Sequence, residues 1–196
     1  MKSGVSPPQT RMRLERDRRS SSKTPSRSNA MPRESLPDLP PKPNGLLLVG
    51  MCTIAAIAKD GHYFEGTYGR RVWNKLAGAG LYDGEAENED ACWAASGHGI
   101  TDLVKRAVRS NDSVKKEDIA AGVEVLRRKV SRWRPRAILF AFKNAAEAAL
   151  GVRDLAPGPL PDFEGVPAFL LTGPYAKKDA SAEECARLES LRATEA

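Results

Sequence analysis

The chain has 196 residues, a formal charge of +6 and 41% apolar residues, which suits one domain with a hydrophobic core plus a tail. The charge is uneven: residues 1–45 hold 10 of the 31 Lys and Arg but only 4 of the 25 Asp and Glu, so residues 46–196 are neutral overall. The basic pI therefore implies no basic patch on the folded part by itself, and any such patch must come from local clustering.

Residues 1–45 are rich in Ser, Pro and Arg and poor in aromatic and β-branched residues. Such a segment buries too little apolar surface to offset its chain entropy, and the expectation is a disordered basic tail. Arg11, Arg13, Arg16, Arg18 and Arg19 suit phosphate contacts by counterion release, and equally a solvated tail without a specific partner. A transit peptide is opposed by Glu15, Asp17, Glu34 and Asp38.

No run approaches the roughly 20 apolar residues that span a bilayer, so no membrane partner is expected. Cys52, Cys92 and Cys185 are widely spaced and odd in number, which points to reduced thiols in a cytoplasmic protein. With only His62 and His98 beside them there is no zinc or iron–sulfur spacing, and no cofactor or metal is expected.

The domain opens after Pro40, Pro41 and Pro43 with Leu46–Val49, a continuous apolar run that predicts a buried strand of a parallel sheet. A loop is expected after Val49, then an amphipathic helix from about Arg70 to Ala79 carrying Val72, Trp73 and Leu76. Ile100–Val104 predicts a second strand. Ile119, Val123, Leu126, Val130 and Trp133 recur at helical spacing until Pro135 closes the helix. Ala137–Phe142 predicts a third strand, Ala145–Leu150 a helix, residues 156–161 a Pro-rich loop and Val166–Leu171 a fourth strand. Ser181 with Glu184 three residues on has the pattern of a capping box opening a last helix. The alternation predicts an α/β fold, a three-layer α/β/α sandwich on a four-stranded, mainly parallel sheet, with residues 46–196 as the domain. Ligands then bind at the carboxyl ends of the strands.

Those ends carry distinctive residues. Gly50-Met51-Cys52-Thr53-Ile54 follows the first strand, then Ala58-Lys59-Asp60-Gly61-His62-Tyr63-Phe64 and Arg70-Arg71-Val72-Trp73. Further on come Gly99-Ile100-Thr101-Asp102-Leu103-Val104-Lys105-Arg106 and Thr172-Gly173-Pro174-Tyr175-Ala176-Lys177-Lys178. In this order the segments resemble the uracil-DNA glycosylase superfamily, closest to its mismatch-specific uracil and thymine glycosylases. The matching family elements are G-x-N-P-G, G-H-x-F/Y, N-x-F-W, G-x-T-x-L/M-V-x-R and an N-P-S-G-L loop, and the resemblance spans roughly residues 46–193. Cys52 stands where that family has its catalytic Asn, and Thr53-Ile54 replace Pro-Gly. Gly173 and Tyr175 replace the Asn and Ser of the last loop, and Lys177 its wedge Leu.

The resemblance implies hydrolysis of the N-glycosidic bond of uracil in uracil-containing or mismatched duplex DNA, and the loss of the Asn and of Pro-Gly suggests base selection relaxed towards other deaminated bases. It implies a monomer in the cytoplasm, associated with the nucleoid. Phe64 is the implied floor for a flipped base, against the reading of an ordinary core aromatic. Gly50, Met51 and Cys52 line the base site, with Cys52 either lining or reactive thiol. Asp102 and His62 are the candidate catalytic groups, and Asp60 a third. Asp102 could equally pair with Lys105 or Arg106, and His62 could simply be solvated. Arg70, Arg71, Lys143, Gly173, Pro174, Tyr175, Lys177 and Lys178 are the candidate DNA contacts. A second reading keeps the fold as a catalytically weak lesion-binding module, favoured by the missing Asn. A small-molecule α/β enzyme ranks last, because neither a phosphate-binding Gly loop nor triad spacing is present.

Overall fold

Every element of the computed structural model lies within the unit Met31–Ala196. The structure describes residues 1, 35–54, 61–84, 88–110, 113–173, 176 and 178–192, the last run without side chains for 178–182. The Arg cluster of residues 11–19 lies outside the described residues, as does Asp60.

The chain order is β1 (Leu46–Ile54), α1 (Gly66–Gly78), α2 (Glu89–Ala95), β2 (Gly99–Val108), α3 (Lys116–Trp133), β3 (Ala137–Phe140), α4 (Lys143–Leu150), β4 (Gly158–Phe163), β5 (Val166–Leu170) and α5 (Lys178–Glu189). The strands form one sheet in the order β2-β1-β3-β5-β4. All pairings are parallel except β4 with β5, which is antiparallel. Side chains alternate across β1: Leu46 and Leu48 pack on one face with Val72, Trp73 and Leu76 of α1, Trp93 of α2 and Leu188 of α5. Leu47 and Val49 pack on the other with Val123, Leu126 and Val130 of α3 and Ala145, Ala146 and Ala149 of α4. All four β1 residues are fully buried, each contributing about 1.5–3 kcal/mol of apolar burial. The run is continuous because helices cover both faces of the sheet.

The sheet has five strands where the sequence predicts four. The Pro-rich stretch read as a loop forms β4, with Pro159 opposite Phe169 and Leu160 opposite Ala168. Proline lacks a ladder donor, and β4 lies at the sheet edge, where that donor has no partner to lose. β1 also continues past Val49, pairing Gly50 with Asp102 and Cys52 with Val104 before a register shift at Ile54. The expected loop after Val49 is thus strand as far as Ile54. α2 is seven residues long and too short to show a period, yet it buries Trp93 completely, and Trp93 Nε1 donates to Gly99 O at 2.8 Å. α3 ends as expected, with Arg134 in the left-handed conformation just before Pro135.

Glu184 does not serve a capping box, since Ser181 lies inside α5. Its carboxylate instead accepts from the N–H and Oγ1 of Thr172, both at 2.5 Å, and pairs with Lys75 Nζ at 2.9 Å. These bonds tie α5 to the end of β5 and to α1.

Residues 35–39 form a strap against the domain, earlier in the chain than composition suggested. Leu39 exchanges backbone hydrogen bonds with Ile100 at 3.0 and 2.7 Å, and Leu36 and Leu39 pack on the α1 face of the core. Asp38 pairs with Lys105 at 3.0 Å and Lys129 at 2.7 Å and accepts from Thr101 Oγ1 at 2.6 Å. Burial alone would raise its pKa, but the bonds from Lys129, Thr101 and Lys105 outweigh that and lower it.

Removing the strap strips apolar contacts and leaves Lys105 and Lys129 without their shared carboxylate. A chain beginning at Glu34 should melt with the full chain, whereas one beginning at Pro43 should melt about 5 °C or more lower. Coincident melting curves for the two truncations would show the strap to be energetically idle.

Candidate active site

A pocket of about 240 Å³ opens where β1 and β2 run past the middle of the sheet. Cys52, Thr53 and Ile54 of β1 and Asp102 of β2 form one part of its lining. Tyr63, Phe64, Glu65, Tyr68 and Gly69 at the start of α1, Phe142 after β3 and Leu36 of the strap form the rest.

The aromatic side is a stack. Phe142 lies 4.8 Å from Tyr68 between ring centroids at 11° and 6.1 Å from Phe64 at 26°, while Trp73 meets Phe64 edge-on at 5.9 Å. Tyr68 is fixed at its far end, where its hydroxyl donates to Ala141 O at 2.7 Å. Phe64 has φ +54°, a left-handed conformation that costs a bulky residue energy and persists only where the surroundings impose it. Gly69 makes room for it: a Cβ there would run into the Phe64 carbonyl.

The polar side centres on Asp102, which is 5% exposed. Its Oδ2 accepts from Thr53 Oγ1 at 2.8 Å. Thr53 Oγ1 also accepts the Leu36 N–H at 3.4 Å and lies 3.2 Å from Ser35 Oγ, within the capacity of a hydroxyl's two lone pairs. Asp102 Oδ1 occupies the place a side chain on Gly50 would fill, and the Phe64 ring comes within 3.3 Å of that place. Burial pushes the Asp102 pKa up to about 6, against the opposing pull of the Thr53 bond and of Lys105. The group is therefore an ionised carboxylate at neutral pH that takes up a proton readily.

Cys52 lines the pocket. Burial, reinforced by the Asp102 charge, pushes its thiol up to about 11; it is protonated at neutral pH and no nucleophile. Met51 is 2% exposed and belongs to the core on the α3 and α4 face, so it does not line the pocket. Gly50 lines nothing itself, but its missing side chain makes room for Asp102.

His62 is not part of the lining. Its Nδ1 lies 3.0 Å from Asp90 Oδ1, while Asp90 Oδ2 accepts the Tyr63 N–H at 3.0 Å and Glu65 Oε1 accepts the His62 N–H at 2.8 Å. These bonds hold the turn that delivers Phe64. His98 is a structural residue: its Nδ1 accepts the Leu46 N–H at 3.1 Å, and burial lowers its pKa. Arg70 and Arg71 are exposed on the outer side of α1. Lys143 is exposed at the start of α4, 3.5 Å from Glu147 and 4.0 Å from Asp154. Gly173 is exposed, whereas Pro174, Tyr175 and Lys177 and the side chain of Lys178 lie outside the described residues.

Sequence reasoning missed Leu36, Thr53, Tyr68 and Phe142. Phe142 did carry a signal, since it ends the segment read as the third strand and so sits at a carboxyl end. Among the described residues no three His, Cys, Asp or Glu side chains are grouped to hold a metal ion, and no helix is long and apolar enough to cross a membrane.

A mainly parallel sheet with helices on both faces carries a buried carboxylate in an aromatic-lined pocket, and it defines an α/β protein. The sequence profile of the uracil DNA glycosylase superfamily matches residues 37–186, most of the chain. The chain belongs to that superfamily. It is also 33% identical over 97 residues to the G/U mismatch-specific uracil DNA glycosylase of Schizosaccharomyces pombe (strain 972 / ATCC 24843). That match covers 48% of this chain and 30% of the yeast protein.

The raised Asp102 pKa makes a stability prediction. Native Asp102 binds its proton more tightly than the unfolded chain, whose value is near 3.8, so folding takes up a proton between about pH 4 and 6 and the ionised form lowers stability above that window. Relative to Asp102→Asn, the parent should lose about 2 kcal/mol between pH 4 and 7.5, measured by urea denaturation of both proteins. A parent that gains on the variant across that window would contradict the burial argument.

Proposed function

We propose that this protein excises uracil from DNA, and by extension other deaminated bases, by hydrolysing the N-glycosidic bond. The observation that carries this reading is the Asp102 carboxylate, buried beside a three-ring aromatic stack in a fold of this superfamily. The flipped base stacks against Phe64, backed by Phe142 and Tyr68. As the C1′–N bond breaks, the base leaves as an anion and positive charge develops on the sugar. Ionised Asp102 stabilises that charge and accepts a proton from the attacking water, whose oxygen bonds to C1′. The proton then passes to solvent or to the departing base, so the step needs no cofactor.

Asp102 thereby supplies what the superfamily's Asn would supply at the position of Cys52. His62 is assigned no step, since its Nδ1 is engaged with Asp90 outside the lining. Arg70, Arg71, Lys143 and the loop from Gly173 to Lys178 contact phosphates in this reading. The lesion-binding module is the second reading, favoured by Cys52 itself, because a thiol positions water poorly.

Incubating the protein with a duplex carrying uracil opposite guanine should create alkali-labile sites; a duplex that is bound and left intact would favour the binding module. Under single-turnover conditions, with folding checked by melting curves, Asp102→Ala should lose about 10²-fold or more. Phe64→Ala should slow excision by about 1–3 kcal/mol of stacking, and Cys52→Ala and His62→Ala should each lose far less than Asp102→Ala. A dead Cys52→Ala beside an active Asp102→Ala would return the chemistry to the thiol position.

A further inference from the structure

We propose that Leu36 of the strap is a specificity-determining residue that sets how large a base the pocket admits. The inference rests on the pocket being the base site, as proposed above. Leu36 lines that pocket, yet it precedes the segment that matches the superfamily, which begins at residue 37.

The wall is rigid for physical reasons. The Leu36 N–H donates to Thr53 Oγ1 at 3.4 Å, and its carbonyl accepts from Lys105 Nζ and from the Tyr63 hydroxyl at 3.4 Å. The same hydroxyl lies 3.1 Å from the Pro37 carbonyl. Asp38 is clamped between Lys105 and Lys129, and Leu39 is paired to Ile100. The backbone is thus held on both sides of Leu36, so a ligand that meets its side chain cannot push the strap away without breaking several bonds. The aromatic lining is as fixed, through its ring stack and the Tyr68 bond to Ala141. Size selection then falls on an aliphatic side chain with a fixed backbone, and one or two carbon atoms more or less alter what fits. A methylene in such a pocket is worth about 10- to 200-fold in discrimination.

The test compares release of 5-fluorouracil and 5-bromouracil placed opposite guanine in one duplex, under single-turnover conditions. Both halogens withdraw electrons, so the two bases leave with similar ease and differ mainly in size. Leu36→Ala should raise the bromo-to-fluoro rate ratio by about 10-fold or more, and Leu36→Phe should lower it. Leu39→Ala, in the same strap but packed on the core away from the lining, should lower the melting temperature and leave the ratio unchanged. Equal losses on both bases for Leu36→Ala, as for Leu39→Ala, would reduce Leu36 to a structural residue and overturn the proposal while leaving the glycosylase reading intact. A parent protein that releases neither base would instead overturn the glycosylase reading, and this proposal with it.

Discussion

The parallel pairing of β1 with β2 beyond Val49 is the constraint on which the rest of the site depends. It sets Gly50 opposite Asp102, and because Gly50 has no side chain, the carboxylate can lean over the sheet face into the space a side chain there would fill. Phe64 closes in above the same space, within 3.3 Å of where a Cβ on Gly50 would stand. Any larger residue at Gly50 would displace the carboxylate, the ring or both. One absent side chain thus fixes the polar group and the aromatic surface relative to each other.

Three layers of support converge on that point. Thr53 binds Asp102 and is itself held by Ser35 and Leu36, so the strap and the carboxylate share one hydroxyl. Asp90, buried at the start of α2, fixes the 62–63 turn through the His62 ring and the Tyr63 N–H. Gly69 lets α1 approach the strained Phe64 backbone. Stability is given up at this site, in the left-handed Phe64 and the buried charge of Asp102, and the core on both faces of β1 carries the cost.

Much of this was legible in the sequence, for identifiable reasons. The unbroken run Leu46–Val49, closed by Gly50, reads as a strand covered on both faces. Asp102 was marked by its place in the segment that resembles the family's G-x-T-x-L/M-V-x-R element, and Phe64 by the glycine and histidine before it. The strap was not legible, because Pro40, Pro41 and Pro43 make its surroundings look like a linker while its anchors Tyr63, Lys105 and Lys129 are remote in sequence. Asp38 weighed only as a charge in the tail, although it is the carboxylate that both lysines share. His62 shows the reverse: a histidine in a loop beside the site suggests catalysis, and a partner 28 residues on gives it a structural post. The Tyr68–Phe142 stack joins residues that no local period connects.

In the proposed reaction, buried Asp102 takes the catalytic place of the missing Asn. The most direct test is the pH profile of the single-turnover rate of uracil excision for the parent and for Asp102→Asn. A base with a pKa near 6 must be ionised to act, so the parent rate should fall about tenfold per pH unit below that value and level off above it. Asp102→Asn should be slower and lack that limb. A variant that kept both the rate and the acid limb of the parent would contradict the account.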